Sequence, residues 1–319
     1  MVKKRKLKKS ARNSLIIIII LIIGIIFGIN KYKEYKYHQT NEYKLTEKGY
    51  TLEESKLIIK RLNDENEKYF VDNEKNDYII DLLNEKYFLE KNLNDYLEYK
   101  SKNKKTSYSD VVAIVNVHAN NEWYDNKVVK ETDLSKGNLI LVNKFYYLKQ
   151  DFIPNDIVDV DINYSYANNR VTKETNDAFV EMAKKAKEDN IKLIANSSYR
   201  TYERQEEVYK EFYYSKGISY ADKYAARAGY SEHQTGLSLD IFTSGSSTTS
   251  NFEESDAFRW LSENAYKYGF ILRYPKGKEY LTGYNYESWH YRYVGKDDAY
   301  KIYKENLTFD EYYAYYLEK

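Results

Sequence analysis

The pattern of apolar and polar positions divides the chain into three stretches. The first is an uninterrupted apolar run from Leu15 to Ile29, somewhat shorter than the roughly 20 residues that cross a bilayer core. The second, from about Lys31 to Lys105, is highly charged, and its apolar residues return at helical spacing. Thr51-Leu52-Glu53-Glu54 is a capping-box pattern followed by Leu57, Ile58 and Leu62. Ile79, Leu82, Leu83 and Tyr87 predict a further helix continuing toward Leu93 and Leu97, and residues 101–107 read as a linker. In the third stretch, strand and helix patterns alternate. Residues 111–118 read as a strand, Phe179, Met182, Ala183 and Ala186 form one face of a helix, and 192–196 reads as the strand after it. Helices are predicted over 202–214, over 221–228 ending at Gly229, and through Ala257, Leu261, Ala265 and Tyr268, stopped by Gly269. Residues 270–272 and 289–294 return to β, 277–285 is read as a loop, and 244–250 is a polar loop at the rim of a cleft. Residues 310–316 are predicted to be a short helix without chemistry of its own.

The flanking charges give the first apolar run a direction. Lys3, Lys4, Arg5, Lys6, Lys8, Lys9 and Arg12 precede it, which by the positive-inside rule keeps residues 1–13 cytoplasmic and exports the remainder of the chain. No small-x-small cleavage pattern comes after the run, so residues 14–30 read as an uncleaved signal anchor rather than a removed signal peptide. Residues 31–105 are then a helical extracytoplasmic spacer and 106–319 the functional domain, in a single-pass protein of the cell membrane.

Composition narrows the chemistry. A formal net charge of +1 gives no reason to expect nucleic acid as a partner. With no cysteine among 319 residues there is neither a disulfide nor a thiolate metal site, so any metal must be held by histidine and carboxylate. The 38 tyrosines reflect compositional bias and carry no functional argument.

Of only four histidines, two lie beside carboxylates in Gly-punctuated segments. Leu237-Ser238-Leu239-Asp240-Ile241 alternates with period 2, so Leu237, Leu239 and Ile241 enter the core while Ser238 and Asp240 share the other face. A carboxylate there is costly unless paired or coordinated, and a metal held by His233, Asp240 and His290 satisfies it. Three protein ligands leave a fourth position open, the layout of a catalytic zinc site, with Glu287 available as general base. A regular strand would place Glu287 and His290, three apart, on opposite faces, so Glu287 is expected before the strand or at a bulge. His118 is expected to be structural and His38 solvated.

These residues carry a resemblance. Ser231-x-His233-x-x-Gly236-x-x-x-Asp240, with Glu287-x-Trp289-His290 further on, is similar to the VanY-type D-alanyl-D-alanine carboxypeptidases, zinc peptidases grouped with the VanX dipeptidases. The similarity runs over roughly residues 137 to 295, through Leu141-Val142-Asn143-Lys144, Pro154-Asn155-Asp156, Ser197-Ser198-Tyr199-Arg200 and Gln205. It implies zinc ligands His233, Asp240 and His290, catalytic Glu287, and Arg200 as a cation near the substrate carbonyl or carboxylate. Ser231 and Gln205 match positions near the substrate. Ala228 stands where such sequences often have proline, and Ser238 where they usually have alanine.

The implied fold is α+β, a small antiparallel sheet with flanking helices around a zinc cleft. The implied activity is removal of the terminal D-alanine from peptidoglycan stem peptides. An L-alanyl-D-glutamate endopeptidase is the nearest alternative, and a catalytically inactive cell-wall binding protein a more distant one.

Overall fold

The computed structural model describes residues 9–244 and 249–318; the basic cluster at residues 3–8 and the centre of the polar loop, 245–248, lie outside the described residues. The chain divides into two compact units, Met1–Lys100 and Ser101–Lys319, the boundary falling at the start of the predicted linker.

In the first unit the apolar run lies within a single 30-residue helix, α1 (Lys9–His38), about 45 Å long at 1.5 Å per residue. Its side chains from Leu15 to Ile29 are exposed, and the helix is long and apolar enough to cross a membrane. Beyond it come α2 (Asn41–Glu47), α3 (Leu52–Arg61), α4 (Asp64–Asp72), α5 (Ile79–Asn84) and α6 (Leu93–Lys102). The capping box forms as predicted: Thr51 Oγ1 accepts from Glu54 N, and Glu54 returns its carboxylate to Thr51 N. The helix expected to run from Ile79 toward Leu97 is broken at residues 85–92 into α5 and α6; the second piece buries Leu93 as expected, but Tyr96 rather than Leu97 beside it.

The second unit begins with a correction. Residues 111–118 are not a strand; Tyr108–Asn116 is a helix (α7), started by Ser107 Oγ accepting from Asp110 N. Val111 through Asn116 are all buried. A helix enclosed on every side loses the polar stripe that reveals a 3.6-residue period, and its β-branched residues then imitate a strand.

Two short ladders come next, β1 (Lys130–Glu131) parallel to β2 (Tyr146–Tyr147), and β3 (Ile157–Asp159) antiparallel to β4 (Arg170–Thr172). Helix α8 (Lys173–Glu188) then lays Phe179, Met182, Ala183 and Ala186, all essentially inaccessible, on the main sheet. Burying Phe179 and Met182 there contributes about 1.5–3 kcal/mol each.

That sheet has four antiparallel strands, β5 (Ile194–Ser197), β6 (Ser238–Phe242), β7 (Phe270–Tyr274) and β8 (Glu287–Tyr293), in the spatial order β5-β6-β8-β7. Leu237, Leu239 and Ile241 join α8, Phe270 and Tyr291 in one core, while Ser238 and Asp240 alternate to the other face of β6. Between β5 and β6, α9 (Tyr202–Lys216) and α10 (Ile218–Tyr224) form a helical hairpin. Helix α10 stops four residues short of the predicted end at Ala228, because Ala225 is extended at φ −141°. Arg227 turns back instead to grip the Asp222 carboxylate at 3.0 and 2.9 Å. The helix through Ala257 ends in a 3-10 turn whose cap, Gly269, is left-handed as expected. The predicted loop at 277–285 contains a four-residue helix, Glu279–Thr282.

Candidate active site

The two central strands and one turn position the three candidate ligands. Asp240 and His290 are directly paired across β6 and β8, so their side chains share one face of the sheet. His233 arrives from the 3-10 turn Glu232–Thr235, capped by Ser231, whose Oγ accepts from His233 N at 3.3 Å. Gly236 ends that turn with φ +68°, and a Cβ there would stand 2.6 Å from Ile157 Cδ1. That left-handed conformation favours glycine, and a larger residue would also have to push the Ile157 side chain aside. One ligand atom each from His233, Asp240 and His290 lies within 4.8 Å of the others.

The imidazoles are oriented from behind. His233 Nδ1 donates to the Ser198 carbonyl at 2.8 Å; because a carbonyl only accepts, this leaves the Nε2 lone pair facing Asp240 Oδ1 at 3.6 Å. His290 is turned the other way, with Nδ1 3.1 Å from Asp240 Oδ1 and Nε2 3.5 Å from Glu232 Oε2. Burial and the Arg200 guanidinium hold the pKa of His233 down to about 3. Burial also opposes charge on His290, but the carboxylates of Asp240 and Glu232 outweigh it and push its pKa up to about 9. For Asp240 the penalty of burial is overcome by His233, His290 and Arg200, lowering its pKa to about 2. Two imidazoles and a charged carboxylate in a buried cluster form a donor set suited to a borderline divalent cation.

Glu287 lies within β8, as its first residue, and the bulge anticipated from the sequence is present. Leu272 pairs with Tyr291, but two residues on, Tyr274 pairs with Glu287, so β8 carries two extra residues in between. The irregularity turns Glu287 to the same side as His290, with Oε2 3.8 Å from His290 Nδ1. Burial raises its pKa to about 7, aided by Asp240 and opposed by His290 and Arg200. A carboxyl whose folded pKa exceeds its unfolded value of 4.5 favours folding while protonated, and that stability is lost as pH rises from about 4.5 through about 7. Glu287→Gln should therefore raise the thermal stability of the chelator-treated protein at pH 8, by about 2–3 kcal/mol at most, and leave it unchanged near pH 4. Parallel melting curves at the two pH values check this.

The cleft over these groups has a volume of about 240 Å³ and is walled by Arg200, Tyr224, Ala226, Tyr284 and Trp289. Arg200 sits just beyond β5 and donates to two neutral acceptors, Gln205 Oε1 at 2.6 Å and Ser197 Oγ at 3.0 Å. Its guanidinium is thus fixed in the cleft without a carboxylate in hydrogen-bond contact among the described residues. Gln205 also lines the cleft, but its amide is engaged at both ends, Nε2 donating to Ala226 O at 2.6 Å. Ser231 lines it as well and caps the His233 turn. The other two histidines stand apart, His118 beside Glu318 at 3.4 Å and His38 exposed on α1.

The profile described as "VanY: D-alanyl-D-alanine carboxypeptidase" matches residues 168–296, which hold every ligand candidate and Glu287. A D-alanyl-D-alanine carboxypeptidase of Enterococcus faecalis is 36% identical over 192 residues, 57% of this chain and 68% of that protein. The chain belongs to the VanY family. A carboxypeptidase of Bacillus subtilis, YodJ, described as putative, is 43% identical over 185 residues, 55% of this chain and 66% of its own length. The chain thus spans about two thirds of the length of these curated relatives. Among solved structures, the LdcB LD-carboxypeptidase superposes with a TM-score of 0.56 at 37% identity, covering 61% of this chain and 94% of that one.

Behind this VanY-type site lies a charged network that the sequence pattern did not reveal. Glu232 is fully buried; its Oε1 accepts from Arg273 Nε at 2.7 Å and Arg292 Nη1 at 2.9 Å, while Oε2 faces His290 and accepts from Ser238 Oγ at 3.3 Å. Arg273 continues to Asp310, which accepts from Asn143 Nδ2 at 2.7 Å. Arg292 reaches the Asn138 and Ile140 carbonyls at 2.9 and 2.8 Å. Burial works against a charge on Glu232, yet the two guanidiniums hold its pKa far below the usual carboxylate range. The C-terminal segment is helical as predicted, over Phe309–Tyr312 and then a π turn. Its Asp310 holds Arg273, which in turn holds the Glu232 carboxylate facing His290. The one sequence signal was Glu232 itself, inside Ser-Glu-His; nothing linked it to residues 41, 60 and 78 positions away.

Proposed function

We propose that this chain is a membrane-anchored zinc carboxypeptidase that removes the terminal D-alanine from peptidoglycan stem peptides. The observation that carries the reading is the convergence of His233, Asp240 and His290 in one cleft, with Glu287 3.8 Å from His290 and outside the ligand set. Zn2+ held by those three residues would supply an acidified water and a polarised scissile carbonyl. Glu287, raised toward neutrality by burial, takes the proton of the attacking water and returns it to the leaving amine. Arg200, held by Gln205 and Ser197, offers a planar cation to the terminal carboxylate or to the oxygen that gains charge. Helix α1 anchors the catalytic unit to the outer face of the cytoplasmic membrane, with the basic residues before it inside.

The test is to give the full chain, in detergent, defined stem peptides and weigh the products. Release of one alanine from a stem ending in D-Ala-D-Ala, abolished by a chelator and restored by Zn2+, is the expected result. A second reading, cleavage of the single D-alanine of a tetrapeptide stem, is favoured by the similarity to the LD-carboxypeptidase; turnover of the tetrapeptide alone would select it. Internal cleavage of the stem would replace both readings with an endopeptidase.

A further inference from the structure

Lys144 is the least expected residue near the cleft. It is 1% exposed, and burying an ammonium costs several kcal/mol unless its surroundings compensate. Among the described residues no carboxylate meets it directly: the side chain of Asp222 is held by Arg227 at 3.0 and 2.9 Å and by the Tyr209 hydroxyl at 2.8 Å. Instead Nζ donates to two backbone carbonyls, Asp222 O at 2.5 Å and Gly283 O at 2.6 Å. The remaining surroundings are aromatic faces, with ring centres at 4.5 Å for Tyr284, 5.4 Å for Trp123 and 5.5 Å for Tyr124. A desolvated cation over several rings is attracted by their negative faces, which offsets part of the cost of its burial.

The two carbonyls belong to the two segments that wall the cleft. Asp222 lies in α10, whose end delivers Tyr224, Ala225 and Ala226 to the cleft. Gly283 is the left-handed cap of the short helix before β8, with Tyr284 immediately after it and Glu287 four residues on. Between them the backbones make one direct hydrogen bond, Asn285 N to Lys223 O at 3.1 Å. Tyr284 is both a wall of the cleft and a face of the lysine cage, and its hydroxyl meets that of Tyr124 at 3.3 Å. The fit is close, since a Cβ on Gly283 would stand 2.9 Å from Lys144 Cδ.

We propose that Lys144 is a positioning residue, a buried bolt that joins the end of α10 to the turn before β8 and thereby sets the placement of Tyr284 and Glu287. Its effect on turnover rests on the role proposed for Glu287; its effect on the two segments does not. A neutral side chain of the same length cannot do this, because two carbonyls would lose their donor and the rings their cation.

The absence of cysteine allows a direct test in the full chain. Lys144→Met is compared with wild type, and Lys144→Cys is compared before and after alkylation with 2-bromoethylamine in denaturant, which rebuilds a lysine-like ammonium, with refolded wild type as control. The readouts are amide hydrogen exchange along residues 222–226 and 281–287, zinc content, and kcat and KM for D-alanine release. We expect faster exchange confined to these two segments, unchanged zinc content and a fall in kcat on the order of 10²-fold, the cost of about 1 Å of misplacement, with a much smaller change in KM. Alkylation of the Lys144→Cys variant should restore both exchange and kcat. Unchanged exchange in Lys144→Met, or an alkylated Lys144→Cys variant no better than its unmodified form, would overturn the proposal. If Lys144→Met fails to fold, the alkylated and unalkylated forms of Lys144→Cys decide alone. If wild type releases no D-alanine from any stem, the proposed function fails while the exchange arms still decide the bolt.

Discussion

Glu287→Ala is expected to retain zinc at wild-type stoichiometry and to lose about 10²–10⁴-fold in kcat, the usual contribution of a positioned general base. The expectation rests on the division of labour in the cleft. Three other residues offer the candidate ligand atoms, which lie within 4.8 Å of one another, and Glu287 approaches that set only at 3.8 Å from His290 Nδ1. A carboxyl raised to about 7 is matched to accepting and releasing a proton near neutral pH. Metal analysis beside D-alanine release separates the possibilities: loss of zinc with loss of turnover would make Glu287 a ligand, and normal turnover would remove it from the mechanism.

Glu232→Ala is expected to have the largest effect on stability, about 3–5 kcal/mol, because it strands two guanidiniums in the interior. Arg273 and Arg292 are each wholly inaccessible, as is the carboxylate between them. The same change removes the carboxylate facing His290 Nε2 at 3.5 Å; if His290 holds the metal as proposed, losing a group of that kind should cost about 10–100-fold in metal affinity. Glu232→Gln should lie between the two, keeping the shape but not the charge. Asp310→Asn should destabilise in the same direction from the far end of Arg273, with a smaller effect on zinc because it touches no ligand. Chemical denaturation with and without chelator, together with zinc titration, measures both quantities. If Glu232→Ala melts like wild type, the network does not support the site as described.

The parts of the site legible in the sequence are those whose signal is local. The alternation Leu237-Ser238-Leu239-Asp240-Ile241 assigned faces correctly, since side-chain direction in a strand is fixed by the backbone alone, and Leu239 and Ile241 are fully buried. The capping box at Thr51 was legible for the same reason. Where burial removed the contrast between faces, the local signal failed: Val111 to Asn116 read as a strand and form an enclosed helix. The end of α10 was overrun because residues 225–228 have no intrinsic objection to a helix; Arg227 gripping Asp222 fixes their path.

The linear chain carries an inventory: an apolar helix preceded by a basic cluster, no thiol ligands, two histidines beside carboxylates, and a carboxylate aimed from a strand at something other than the core. How these groups are held emerges only on folding. The bulge that brings Glu287 beside His290 depends on pairing with Tyr274, on a different strand. The acceptors behind the histidines come from Ser198 and Glu232, and the second is fixed by Arg273, Arg292 and Asp310. Lys144 joins segments 78 and 139 positions away. Each is a long-range contact between buried polar groups, whose favourable energy exists only once water has been excluded, so no local pattern in the chain announces it.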